Sequence, residues 1–149
     1  MNYTAAQLVS FKWFIRNIMR IDETALPDDS VYIPYALSIA VEITNPAIAQ
    51  ASGLLYTQAI NNLGGDNLIN WAPDEDDSTF FTDVRKSLNI GGFVGGVISA
   101  SNDESTGETL LTPDFLKGLT MANLQNIKTP YGRQYMAIAQ AYGPTWGLT

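Results

Sequence analysis

Thr4-Ala5-Ala6-Gln7-Leu8-Val9-Ser10-Phe11-Lys12-Trp13-Phe14-Ile15-Arg16-Asn17-Ile18-Met19 is the stretch from which the fold class is read. Thr4 and Gln7 have the spacing at which a hydroxyl and a side-chain amide each satisfy a free N–H at a helix start. Behind them Leu8, Phe11, Ile15, Ile18 and Met19 recur with helical period and form one apolar stripe. The spacing predicts a helix that ends near Arg20, ahead of an acidic, proline-containing loop over residues 22–29.

Beyond that loop the pattern is again helical. A second helix is predicted from near Ser30, with Pro34 tolerated in its first turn and Ile33, Leu37, Ala40 and Val41 on its buried side. It stops at Thr44-Asn45-Pro46, where Asn45 can cap the next helix and Pro46 takes the first helical position. The third helix is expected to run from Pro46 through Ile48, Ala51, Leu55 and Ala59, closed by Gly64-Gly65. So short a connection predicts a bent or antiparallel pair. Residues 66–77 read as a loop with one short apolar run, Leu68-Ile69-Asn70-Trp71. Asp77 or Ser78 then caps a short helix carrying Phe81, Val84 and Leu88, with Asp77 near its start and Arg85-Lys86 near its end suiting the helix dipole.

At Gly91 the helical period is lost. Residues 93–100 are rich in glycine and β-branched side chains, 101–107 are polar, and 108–111 can return as a second strand, which reads as a β-hairpin or extended arm. An isolated hairpin is marginal in water, so it should lean on the helices or on a neighbouring chain. Thr112-Pro113-Asp114 opens a short helix with Phe115 and Leu116. Thr129-Pro130 opens the last one, with Tyr135, Ile138, Ala139 and Tyr142 on one face and Gly143-Pro144 after it. The expected architecture is mainly α: a small helical bundle with an inserted β-hairpin or extended arm. One domain covers residues 1–149, with its helical body at 4–90 and 112–143, the arm at 91–111 and a tail at 144–149.

A chain of 149 residues, 46% hydrophobic and 15% charged, can bury one sizeable core. The low charge leaves room for extensive subunit contacts, whose buried centres are poor in charge. Fifteen acidic against eight basic residues give a net charge of −7, which disfavours gripping nucleic acid by its phosphates; an acidic wall that DNA slides past remains compatible. Met1-Asn2-Tyr3-Thr4 lacks the pattern of a signal peptide, and no run approaches membrane-spanning length, so a soluble product made in the cytoplasm is expected.

With no histidine and no cysteine, Ser-His-Asp and Cys-His nucleophilic sites and the common zinc sites are excluded. Carboxylate and lysine chemistry survives this test, but no catalytic residue, cofactor or metal is expected. The run Asp74-Glu75-Asp76-Asp77 could hold Ca²⁺ or Mg²⁺, and a carboxylate- and metal-dependent enzyme using Asp74, Asp76 and Asp77 is the rival in that class. Read as an EF-hand loop it fails: Thr79 stands where glycine is needed and Arg85 where the bidentate glutamate belongs. Residues 91–96 resemble a phosphate-cradling loop only superficially, since a helical pattern precedes them and no Gly-Lys-Ser/Thr comes after.

Lys12, Arg16 and Arg20 fall along one helical stripe of about 12 Å, with Val9 and Trp13 beside it and outside the apolar arc. Such a face suits docking onto an acidic partner; the plainer alternative is a solvated face with carboxylates nearby. Trp71, Tyr131, Tyr135, Tyr142 and Trp146 are better placed for core or interface packing than for a ligand pocket.

The run Leu119-Thr120-Met121-Ala122-Asn123-Leu124-Gln125-Asn126-Ile127-Lys128-Thr129-Pro130-Tyr131-Gly132-Arg133-Gln134-Tyr135 is followed by Ala137-Ile138-Ala139-Gln140 and Gly143-Pro144-Thr145-Trp146-Gly147. Together these resemble the C-terminus of the small head–tail connector (neck adaptor) proteins of tailed bacteriophages. The stretch from Leu55-Tyr56 through Asn62-Leu63-Gly64-Gly65-Asp66 is similar to a second stretch of that family. The first helix and the acidic loop carry no part of the resemblance.

The resemblance implies a non-enzymatic virion protein at the head–tail interface. It would form a homo-oligomeric, dodecameric ring that binds the portal and a tail or other neck protein and lines the DNA passage. Neither sequence-specific nucleic-acid binding nor membrane contact is implied. The candidate partner-binding residues are Lys12, Trp13, Arg16 and Arg20 on the first helix, Phe93, Val97 and Leu110 in the arm, and Tyr142 and Trp146 at the C-terminal end. Alternatives within the particle are a tail terminator, a tail-completion or a capsid-decorating protein; a host-directed early regulatory protein is the remaining class.

Overall fold

The computed structural model describes residues 2–91, 97–101, 108–111 and 128–142, with side chains placed for 2–91 and 128–142. The described chain is mainly helical: α1 (Ala5–Asn17), α2 (Tyr32–Ile43), α3 (Ala47–Ala51), α4 (Gly53–Trp71), α5 (Phe80–Ser87) and α6 (Pro130–Tyr142). Two short antiparallel strands, Val97–Ser101 and Glu108–Leu111, pair with Val97 opposite Leu111 and Ser101 opposite Glu108. The expected helix at 112–116 and the tail at 144–149 lie outside the described residues.

α1 begins with the capping box: the Gln7 backbone N–H donates to Thr4 Oγ1 (3.2 Å) and the Thr4 N–H to Gln7 Oε1 (2.7 Å). Phe11, Phe14 and Ile15 are buried. The helix stops at Asn17, three residues short of the expected end. Ile18 is the C-cap, and the chain reverses through Arg20 in left-handed backbone (φ 56°), where the Ile21 N–H reaches back to Ile15 O (3.1 Å). The reversal changes the buried arc: Ile18 is 50% exposed, and Phe14 and Ile21 fill the core instead. Arg20 consequently leaves the stripe that Lys12 and Arg16 share.

α2 starts at Tyr32, two residues after the expected start, and buries Ile33, Ala36, Leu37 and Ala40. Asn45 does cap α3, its Oδ1 accepting from the Ala47 N–H (2.9 Å). The single third helix expected over this region is two. α3 ends at Ser52, whose extended backbone breaks the run and whose hydroxyl accepts from the Leu55 N–H to start α4.

Gly64 and Gly65 do not close a helix. They lie in the interior of α4, which continues to Trp71 and absorbs the Leu68–Trp71 run expected in a loop. Their reason is tertiary. A Cβ on Gly64 would stand 2.8 Å from two ring carbons of Phe11, and one on Gly65 would stand 2.9 Å from Met19 Sδ. The missing side chains let α1 lie close on α4.

α4 is the axis of the bundle, packed against α1, α2, α3, α5 and α6, and every residue from Ala59 to Ile69 is buried. A helix enclosed on all sides should be apolar throughout, yet this one buries Asn61, Asn62, Asp66 and Asn67. Three of these reach outward. Asn61 Nδ2 donates to Ser10 Oγ on α1 (3.1 Å), Asn67 Nδ2 to Ala36 O on α2 (3.5 Å), and the carboxyl of Asp66 accepts from Thr129 Oγ1 ahead of α6. A polar tie to each of three neighbours fixes rotation and register where apolar contact alone would permit sliding.

The cap of α5 is shared between Ser78, one of the two expected residues, and Asp74, which is not among them. Neither Asp77 nor the Thr79 side chain takes a helix-start N–H; Asp74 folds over the end, its carboxylate accepting from the Phe81 N–H (2.7 Å) and the Thr82 N–H (3.2 Å). Ser78 Oγ takes the Phe80 N–H (3.3 Å).

Candidate functional site

The ends of α1 and α4, the inner face of α5 and the first turn of α6 converge on an apolar cleft of about 180 Å³, whose walls include Met19, Ile21, Ile69, Val84, Leu88 and Tyr131. Each wall residue is there for a local reason. The turn at Arg20 carries Ile21 inward, the continuation of α4 past Gly65 brings Ile69, and the Asp74 cap orients α5. Tyr131 is held edge-on to Phe14, ring centres 5.8 Å apart, and burial pushes its phenol above the usual range. Among the described residues the lining bears the hydroxyls of Ser87 and Tyr131 and no charge. A void of order 150 Å³ with such walls holds a benzene-sized group, so the cleft has room for an apolar side chain.

Immediately behind the cleft stands the tie between α4 and α6. Asp66, 1% exposed, accepts a hydrogen bond from Thr129 Oγ1, and the same hydroxyl accepts from the Gly132 N–H (2.8 Å) to cap α6. Asp66 Oδ2 and Asn70 Oδ1 are buried without a hydrogen-bond partner. Burial raises the Asp66 carboxyl to about 7, against the opposing pull of the Thr129 and Asn70 side chains. The Thr-Pro helix start makes Thr129 recognisable in the sequence; Asp66, placed by the glycine pair in an expected loop, is not. Its legible signal is an acidic residue enclosed by Leu63, Leu68 and Ile69.

The cations of the expected docking stripe part company. Arg16 turns inward: its guanidinium donates to Ile21 O (2.8 Å) and Leu26 O (2.7 Å) and pairs with Asp28 (2.5 Å). Arg85 and Lys128 are engaged in the same way, Arg85 on Ile69 O and Ala72 O, Lys128 on Ile90 O (2.8 Å). Lys12 is half-buried and Arg20 exposed. Trp13 (59% exposed) and Val9 (69%), one turn apart, do face solvent. A second outward apolar pair, Val31 and Tyr35, begins α2, with Tyr35 edge-on to Trp71. Tyr142, on the expected inner face of α6, is 41% exposed. Phe93 and Trp146 lie outside the described residues. Val97 and Leu110 are strand residues whose side chains are likewise outside them.

In the acidic run, the Thr82 hydroxyl, with the backbone N–H groups of Thr82 and Phe81 and the charge of Arg85, holds Asp74 below the usual carboxylate range. Asp76 and Asp77 are exposed. Among the described residues no three carboxylates gather in a way that could hold a metal ion, and no helix is long and apolar enough to cross a membrane. No family model matches the chain, and neither the curated proteins nor the solved structures include a significant match.

Proposed function

We propose that this chain is a structural subunit of a tailed-phage particle, a head–tail connector that works by binding proteins and not by catalysis. The observation that carries the reading is the outward apolar set on α1 and α2. Val9, Trp13, Val31 and Tyr35 stand in solvent on a chain with only 15% charged residues. Adjacent large apolar side chains left in solvent gain by burial against a partner, and charge-poor surface suits the centre of such a contact. The resemblance of the 119–147 region to neck adaptors supplies the kind of partner.

In this reading identical copies close into a dodecameric ring under the portal. Trp13 and Lys12 anchor one contact, the arm over 91–111 reaches the neighbouring copy through Phe93, Val97 and Leu110, and Tyr142 and Trp146 meet the tail side. The arm is a β-hairpin inserted into the helical bundle. Arg16 acts as an internal brace, and Arg20 is kept only as an exposed charge near the α1 contact. With Arg16, Arg85 and Lys128 engaged on backbone carbonyls, the acidic excess would dominate the ring's lining and let DNA pass without adhering. Immunogold labelling of purified particles tests the assignment: label at the head–tail junction is expected, and a protein absent from particles ends it. Label at the tail tip or over the capsid would replace the connector with a terminator or decoration role.

A further inference from the structure

We propose that Asp66 and Thr129 form a proton-held clasp, in which a neutral Asp66 carboxyl keeps the first turn of α6 seated against α4 and loss of its proton loosens that turn and the cleft wall it supplies. The inference is independent of the proposed function. It stands first on geometry. Thr129 Oγ1 donates to Asp66 and accepts from the Gly132 N–H, so one hydroxyl joins the buried carboxyl to the start of α6. The other carboxyl oxygen, Oδ2, has no partner, and the nearby Asn70 Oδ1 has none either. A protonated Oδ2 leaves the enclosed carboxyl neutral; an ionised one is a charge sealed from water, favoured only by the Thr129 and Asn70 side chains among the described residues.

Among the described residues no ionic neighbour compensates: burial is the largest influence on Asp66, opposed by the Thr129 and Asn70 side chains. Arg85 of α5 is engaged on Ile69 O and Ala72 O, Arg16 on the 21–28 turn, Lys128 on Ile90 O, and Arg133 of α6 is exposed. Lys12 of α1 is half-buried, Glu42 of α2 is exposed, α3 carries no charge, and α6 adds the phenol of Tyr131, which burial pushes above the usual range, and that of Tyr135. Ionised Asp66 can regain water only if something moves. α4 is enclosed by five helices, whereas the turn holding Thr129 begins at exposed Pro130, so that turn is the part that yields. Pro130 and Tyr131 belong to it and to the cleft.

Because the folded state favours the protonated form, the clasp gives up stability as pH rises from the ordinary carboxylate range to about 7, and changes no further above it. Carboxyl ¹³C NMR of the intact chain, with amide exchange followed at Gly132, tests this directly. The expected result is an Asp66 midpoint near 7, with Gly132 exchange accelerating through the same midpoint beyond the ordinary base-catalysed rise. Thr129→Val should move the midpoint upward, since the hydroxyl favours the anion, and Asp66→Asn should abolish the step at Gly132. An Asp66 that titrates in the ordinary carboxylate range, or Gly132 exchange that tracks base catalysis alone, overturns the clasp.

Discussion

Replacing Gly64 by alanine sets two effects of known sign against each other. In an exposed helix interior the change gains about 1 kcal/mol, because alanine loses less backbone freedom than glycine. Here the new Cβ would sit 2.8 Å from both Cε2 and Cζ of Phe11, a ring that is fully buried and cannot swing aside. Overpacking of this kind costs about 1–3 kcal/mol, so the net expectation is a loss of up to about 2 kcal/mol.

The other glycines of α4 grade the argument. Gly53→Ala meets nothing within 4 Å and should be neutral or stabilising. Gly65→Ala presses on Met19 Sδ at 2.9 Å, the flexible part of a side chain, and should fall between the two. Urea unfolding monitored by circular dichroism reads all three as midpoint shifts at constant slope. Phe11→Leu makes room, so the double variant with Gly64→Ala should be more stable than the two single losses imply, by about 1 kcal/mol. A Gly64→Ala protein as stable as its parent, with no coupling to Phe11, would refute the close approach of α1 and α4.

Arg16→Met should cost about 2 kcal/mol by stranding the Ile21 and Leu26 carbonyls, whereas Asp28→Asn, touching only the exposed half of the ion pair, should cost under about 1 kcal/mol; chemical denaturation separates them. Asp74 stabilises α5 as an anion, so its contribution is present above the ordinary carboxylate range and is lost as pH falls through its lowered folded value. Asp74→Ala should therefore flatten the acid limb of the melting-temperature profile and leave the neutral limb parallel to wild type.

The features legible in the residues alone are those decided locally. Thr4 with Gln7, Asn45 before Pro46, and Thr129 before Pro130 act on N–H groups two or three residues away, and each starts or precedes a helix as its spacing predicts. The features that escape such a reading are decided by distant parts of the chain. Gly64-Gly65 has the local chemistry of a helix stop, but Phe11, more than fifty positions earlier, turns it into a close-packing surface. Asp74 outcompetes Asp77 for the α5 cap because the loop folds back. Arg16 fits a docking stripe by period, until the turn at Arg20 brings two carbonyls within its reach. Of the cleft, Met19, Val84, Leu88 and Tyr131 lie in elements that the residues predict. Ile21 and Ile69 fall where loops are expected, so their convergence has no sequence signature.

Native mass spectrometry of the purified chain, over a range of concentrations and with Trp13→Ala alongside, tests the central claim most directly. The account predicts a closed ring whose mass is twelve times that of the subunit, and a Trp13→Ala variant that remains folded while assembling less readily. A wild-type chain that stays monomeric throughout would contradict it.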